Sequence, residues 1–278
     1  MTPADIIDCH AHIIDSGRFP YAEGPGYRPR AHETGTREAF GAALQANGVK
    51  HALLVQPSCY GTDNSAMLDA MAHAPGRYRA IAVVAPDASN ETLAALAGRG
   101  VVGIRFNLVS YDRDALAKAA AAGLLERLRA AGLFAQIYAH DEQWPELVPL
   151  LGAHGVKVVI DHFGVRDIRL GPAAAGFQAV LELGRRGEAA VKLSAPFRLA
   201  PASSDYSALD PFAEGLLSAF GSERCVWGSD WPFLDVAERI HYNVLPATLR
   251  RWLPDAADRG RVLWSNPVRL FGFGARST

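Results

Sequence analysis

Residues 157–164 read KVVIDHFG, a short run of β-branched side chains that ends abruptly in an acid and an imidazole. The run shows no polar–apolar alternation, which is how a parallel strand covered on both faces reads. The same pattern recurs at 6–14, 51–58, 79–86, 101–108, 133–140, 189–196 and 225–232. Helical stretches lie between these runs. Residues 114–131 read as one helix, with Leu116, Leu124, Leu125 and Leu128 on a broad apolar face. Gly48, Gly100, Gly132 and Gly155 stand where a helix would end and hand over to the next strand. Strand–helix alternation repeated in this way points to the α/β class and a closed (β/α)8 TIM barrel, with an open doubly wound sheet as the alternative. No repeat, low-complexity stretch or linker interrupts the chain, so 1–278 reads as one domain, close to the usual barrel length.

Apolar residues make up 49% of the chain, charged residues 21%, and the net charge is −1. That balance builds a large core and lacks the basic stripe of a nucleic-acid or membrane-surface binder. No apolar stretch nears the roughly 20 residues needed to span a bilayer. The expected partner is a small-molecule substrate, and the oligomeric state is left open. The opening MTPADIIDCHAH has no basic start followed by an apolar segment, so a cytoplasmic location is expected. Cys9, Cys59 and Cys225 are odd in number and lack C-x-x-C spacing, which argues against a disulfide framework or a thiolate zinc cluster. Cys9 and Cys225 read as small buried residues, while Cys59 is not assigned.

In a barrel, polar residues at strand ends point into the mouth, whereas mid-strand they would be buried without partners. The first run ends Asp8-Cys9-His10-Ala11-His12, where alternation puts Asp8, His10 and His12 on one face with the imidazoles about 7 Å apart. Later runs end in Arg105 and Asn107, Tyr138 and His140, Asp161 and His162, Lys192 and Ser194, and Ser229 and Asp230. Each residue alone has a bland reading, such as a core histidine bonded to backbone. Together they supply acids, bases and cations at one end of the barrel, as a hydrolytic site requires. Histidines can donate to a developing oxyanion or bind zinc. Asp230 can take a proton from water, and Trp231 and Pro232 are expected to exclude solvent and raise its pKa. Two long loops, 15–35 and 197–208, follow strand ends and are expected to cover a substrate through Phe19, Tyr21, Tyr27, Arg28 and Arg30.

DCHAH (8–12), IDHFG (160–164), WGSDWPF (227–233) and NPVRLFGF (266–273) resemble the amidohydrolase superfamily. With RFPYAEGPGYRPR (18–30), GIRFN (103–107), QIY (136–138) and KLSAPFRL (192–199), the order resembles its 2-pyrone-4,6-dicarboxylate lactonase-like branch of metal-independent or weakly metal-dependent lactonases. The resemblance spans essentially the whole chain. It implies that His10, His12 and His162 polarise a lactone carbonyl and Asp230 activates water. It also implies that Arg105 and Arg198 bind carboxylates, with Tyr27 and Tyr138 as hydroxyl partners. Two arginines of that branch are replaced here by Tyr111 and Val165, although Arg166 follows. The cationic set therefore reads as depleted, pointing to a lactone with one carboxylate or a sugar-derived lactone. No cofactor is expected to be required. The alternative is one Zn2+ or other divalent cation on His10, His12 and Asp230, with His140 or His162 as a fourth ligand. Lys192 reads as a structural partner for an acid. Competing functions are a zinc-dependent decarboxylase of an aromatic or unsaturated acid, a sugar-acid lactone isomerase, and a binding protein without catalysis.

Overall fold

The computed structural model describes residues 5–274 apart from Pro25, Ala202, Ser203 and Arg239, so part of the second long loop lies outside the described residues. The apolar runs form eight parallel strands: β1 (Ile6–Ala11), β2 (Val49–Val55), β3 (Tyr78–Ala82), β4 (Val101–Asn107), β5 (Phe134–Tyr138), β6 (Val158–Ile160), β7 (Ala189–Lys192) and β8 (Cys225–Val226). They are ordered sequentially in one sheet. Helices follow each strand in the chain and cover the outside, which fulfils the (β/α)8 reading. Gly48, Gly100, Gly132 and Gly155 all adopt the left-handed backbone expected of helix ends. One helical expectation is corrected. Residues 114–131 form two helices, Ala115–Ala121 and Leu124–Ala130, because Gly123 between them has φ +73°.

β8 pairs with β7 over only two residues. The barrel closes instead through single backbone bonds: Cys9 N–H to Trp227 O (2.8 Å), Asp230 N–H to His10 O (2.7 Å) and His12 N–H to Trp231 O (2.8 Å). Gly228 makes this approach possible. A Cβ there would lie 2.6 Å from the His10 nitrogen and 2.7 Å from the His10 Cβ.

β1 carries a bulge, since Asp8 pairs with Ala52 but Ala11 with Leu54. Three steps on one strand match two on the other, so the alternation of faces breaks. Ile7 and Cys9 pack inside the barrel with Leu53, Val55, Val159 and Val226. Asp8 turns outward and accepts from Ser229 N–H (2.8 Å), Ser229 Oγ (2.5 Å) and Tyr242 OH (2.8 Å). His10 and His12 then face the mouth. The expectation that Asp8 shares their face is thus corrected, and the imidazole centroids lie 5.0 Å apart rather than at strand spacing. Phe271 and Phe273, from the C-terminal motif, plug the opposite end of the interior. Cys9, Cys59 and Cys225 are buried and free. Among the described residues, no helix is long and apolar enough to cross a membrane.

Gly228→Ala should force β8 away from β1. We expect a loss of about 1–3 kcal/mol in chemical denaturation, the usual cost of overpacking, together with loss of turnover because His10 is displaced.

Candidate active site

The deepest polar group at the mouth is Lys192, fully buried at the end of β7. Its ammonium has three protons and three partners: Gln136 Oε1 at 2.8 Å, Asp161 Oδ1 at 3.0 Å and His10 Nδ1 at 3.1 Å. Gln136 Nε2 in turn donates to Asp161 Oδ2 at 3.1 Å. Lys192 is therefore the structural partner of an acid, as expected. Burial raises the Asp161 carboxyl, but Lys192 and His10 outweigh it and hold the group well below the usual carboxylate range. His10 Nδ1 stands between the Lys192 ammonium, which can only donate, and Asp161 Oδ1 at 3.2 Å, which can only accept, so the ring either accepts from Lys192 with its proton on Nε2 or donates to Asp161 with Nε2 bare. That Nε2 has no partner and points toward Asp230 Oδ1 at 3.7 Å.

The tautomer of His12 is fixed by the backbone. Its Nδ1 is 2.7 Å from Val55 O, an atom that can only accept, so Nδ1 carries the proton. Its Nε2 lone pair faces Asp230 Oδ1 at 3.3 Å. His162 Nδ1 meets Ser194 Oγ at 2.9 Å, and its Nε2 is 3.9 Å from Asp230 Oδ2. All four residues named from the sequence as catalytic are buried and converge here. The chain reaches this geometry through left-handed residues just past three strands: His162 (φ 46°), Ala195 (φ 51°) and Asp230 (φ 62°). Such positions cost about 1 kcal/mol or more each and cluster where a side chain must be aimed.

Two expectations about Asp230 are corrected. Burial alone would raise its pKa, but Arg198, His162, His12 and His10 together hold it well below the usual range. Trp231 gives no apolar cover, since it turns away and stacks on Phe40 at 4.8 Å. Arg198 is anchored beside Asp230 and also lines the mouth. Its Nε bonds Asp230 Oδ2, and its Nη2 donates to Leu234 O at 3.0 Å.

The mouth above Asp230 is an open cleft of about 110 Å³ lined by His12, Tyr27, Arg105, Tyr138, Arg166 and Arg198 among others. Arg105 is buried, donates from Nη1 to Gln56 O at 3.0 Å and stands 3.8 Å from Asp161. Tyr138 packs edge-on to His162 and its hydroxyl contacts Arg166 Nη1. Arg166 thus brings a guanidinium to the mouth although position 165 is Val, so the cationic set is fuller than the motif comparison implied. Its backbone N–H donates to Asp141 Oδ2 at 3.0 Å. Of the aromatic and arginine residues expected to cover substrate from the first loop, Tyr27 alone lines the mouth. It donates to Glu33 Oε2 at 2.5 Å, and burial together with that carboxylate pushes its hydroxyl up to about 12. Phe19 and Tyr21 pack on the core instead.

Two buried groups have ligand atoms within 4.8 Å of one another: His10, His12 and Asp230, and His10, Asp161 and His162. His140 belongs to neither. It caps the short helical turn Asp141–Gln143, its backbone N–H donating to Gln143 Oε1 at 2.9 Å.

The family model for Amidohydrolase matches residues 7–273. The chain belongs to the amidohydrolase family. Among curated relatives, this amidohydrolase is 29% identical to the 2-pyrone-4,6-dicarboxylate hydrolase of Comamonas testosteroni, over 97% of this chain and 90% of the relative. It is 27% identical to the 4-sulfomuconolactone hydrolase of Hydrogenophaga intermedia, over 98% and 90%. A crystal structure of a probable 2-pyrone-4,6-dicarboxylic acid hydrolase from Acinetobacter baumannii, with citric acid bound, superposes with a TM-score of 0.86 at 28% identity, covering 97% of this chain and 100% of that one.

Burial lowers the His162 imidazole to about 4, against about 6.5 in an unfolded chain. Between those values the unfolded chain binds a proton that the folded chain refuses, so stability falls as pH drops from about 6.5 toward 4. In metal-stripped protein, denaturation across this window should show that decline, at most about 1.4 kcal/mol per pH unit from this residue. His162→Gln should make the slope shallower; an unchanged slope would show that His162 does not contribute.

Proposed function

We propose that this amidohydrolase opens, or reversibly forms, the ring of a small carboxylated or sugar-derived lactone. The observation that carries the reading is the convergence of the Nε2 atoms of His10, His12 and His162 on the buried Asp230 carboxylate. His12 presents a lone pair to the Asp230 carboxylate, so the two basic atoms gain by sharing a proton. With Lys192 donating to its Nδ1, His10 presents an N–H, and Ser194 can set His162 the same way by donating to its Nδ1. A lactone carbonyl placed between His10 and His162 would be polarised by two donors, while water beside Asp230 loses its proton to the Asp230–His12 pair. Attack forms the tetrahedral oxyanion. Its collapse breaks the ring C–O bond and the leaving alkoxide takes the proton back, which gives a hydroxyl and a carboxylic acid; the acid then releases its proton to solvent and leaves as the carboxylate. The relatives' names as lactone hydrolases support the same reaction class.

The spacing of His10, His12 and Asp230 would suit one Zn2+ or another divalent cation, which would act as a Lewis acid on the carbonyl. A ligand nitrogen must be bare, so a metal would need His10 to donate from Nδ1 to Asp161 rather than accept from Lys192. The charge around the site suits a metal less. The buried cluster sets Arg105, Lys192 and Arg198 against only Asp161 and Asp230. A site with one excess positive charge favours an anionic substrate over a dication. We therefore read catalysis as metal-independent. Asp230→Asn should retain fold and substrate binding while lowering kcat by at least ~10²-fold. Prolonged chelation should leave wild-type turnover intact. Activity lost to a chelator and restored by zinc alone would reverse the metal reading.

Arg105 and Arg166 are the carboxylate-binding groups of this proposal, with Tyr138 between them and Tyr27 opposite. The citric acid named for the crystallised relative fits a mouth that accepts carboxylates. Arg105→Met should lower kcat/KM for a carboxylated lactone by about ten- to a hundredfold, as for a lost charge-assisted bond, and affect a neutral lactone far less. Arg198→Met should lower both, because Arg198 holds Asp230. Equal losses on the two substrates for Arg105→Met would make that arginine structural.

A further inference from the structure

Beside the mouth lies a second cavity of about 240 Å³, between the ends of β2, β3 and β4 and the helices after β4. Its walls are mostly apolar: Val84, Phe106, Ala115, Ala119 and Leu124. Ser58, Arg105 and Asn107 line both cavities, so the two meet at the proposed carboxylate site. Gln56 forms part of the inner wall, next to Gly61. Its Nε2 donates to Gly61 O at 3.1 Å and to Asp63 O at 2.7 Å, which fixes the amide orientation. Its Oε1 is buried with no partner, and so is the Nε of Arg105. An unpaired buried acceptor in an otherwise apolar pocket is costly unless a ligand or water supplies a donor.

We infer that this cavity is a specificity pocket for a hydroxyl-tipped alkyl substituent of the lactone, its methylenes on the apolar wall and its hydroxyl donating to Gln56 Oε1. The inference rests on the lactonase reading of the mouth and narrows its substrate class. A carboxylate on Arg105 at the junction would direct a neighbouring ring substituent into the pocket. Burying each methylene is worth about a fourfold preference. A hydroxyl matched to a buried acceptor adds discrimination against the analogue lacking it. The prediction is therefore an order: hydroxyalkyl above alkyl of equal length, and both above the unsubstituted lactone.

The test uses a butenolide carboxylate, its propyl homologue and its hydroxypropyl homologue as substrates. The corresponding non-hydrolysable cyclic ether carboxylates are titrated by calorimetry. In the wild type the hydroxypropyl compound should exceed the parent by several tens-fold in kcat/KM, and its ether analogue should show the same order in affinity. Ala115→Phe, at the first position of its helix, and independently Val84→Phe should fill the cavity and bring the ratio of substituted to parent compound close to one. A wild-type ratio near one in the binding series, or a ratio unchanged in both filled variants, overturns the pocket whether or not the lactone is hydrolysed. Binding in the predicted order without ring opening would instead overturn the lactonase reading and leave the pocket standing. A propyl group preferred over hydroxypropyl would show that water, not the ligand, satisfies Gln56.

Discussion

The Lys192 ammonium is the constraint on which the site depends. A charge buried this deeply is tolerated only if its protons are all used, and here they go to Gln136, Asp161 and His10, which come from three other strands. The consequence reaches the chemistry directly. Lys192 and Asp161 both face His10 Nδ1, so together they govern which nitrogen of that ring carries its proton and what Nε2 presents to the mouth. A neutral residue at 192 would remove the donor from His10 and would leave Asp161 buried without its main counter-charge. Structural support and the polarity of the mouth are thus one arrangement.

The second constraint is steric. β8 approaches β1 closely enough for backbone bonds to His10 and His12, and this needs Gly228. The bulge in β1 follows Asp8 and turns His10 and His12 to the mouth, while Asp8, between the inward Ile7 and Cys9, points outward to hold Ser229 and Tyr242. Ser229 precedes Asp230, so the outward carboxylate steadies the segment that aims the inward one. Left-handed backbone at His162, Ala195 and Asp230 completes the aiming. These strained positions lie at the ends of adjacent strands, where the surrounding hydrogen bonds can hold them.

Much of this was legible in the chain. Unbroken β-branched runs report burial on both faces of a strand, and polar residues at the ends of those runs report a shared mouth, so the barrel and the convergence of His10, His12, His162 and Asp230 follow from local pattern. Arg166 was harder to place. A one-residue offset from the motif hid it, and its guanidinium reaches the mouth only because the segment after β6 is anchored on Asp141. The split of 114–131 at Gly123 was visible as a residue type but not as a break, since a single glycine within an apolar periodicity is compatible with a continuous helix.

The sequence by itself determined the strand count, the strand order and the identity of the residues at the barrel mouth, because each is encoded in short-range periodicity and in the chemistry of strand ends. Only the tertiary structure decided the tautomer of His12, the pairing of Arg198 with Asp230, the outward turn of Asp8 and the cavity beside Arg105. The reason is physical. Protonation and pairing depend on distances between groups brought together from different strands, and a one-residue bulge inverts a face without altering composition.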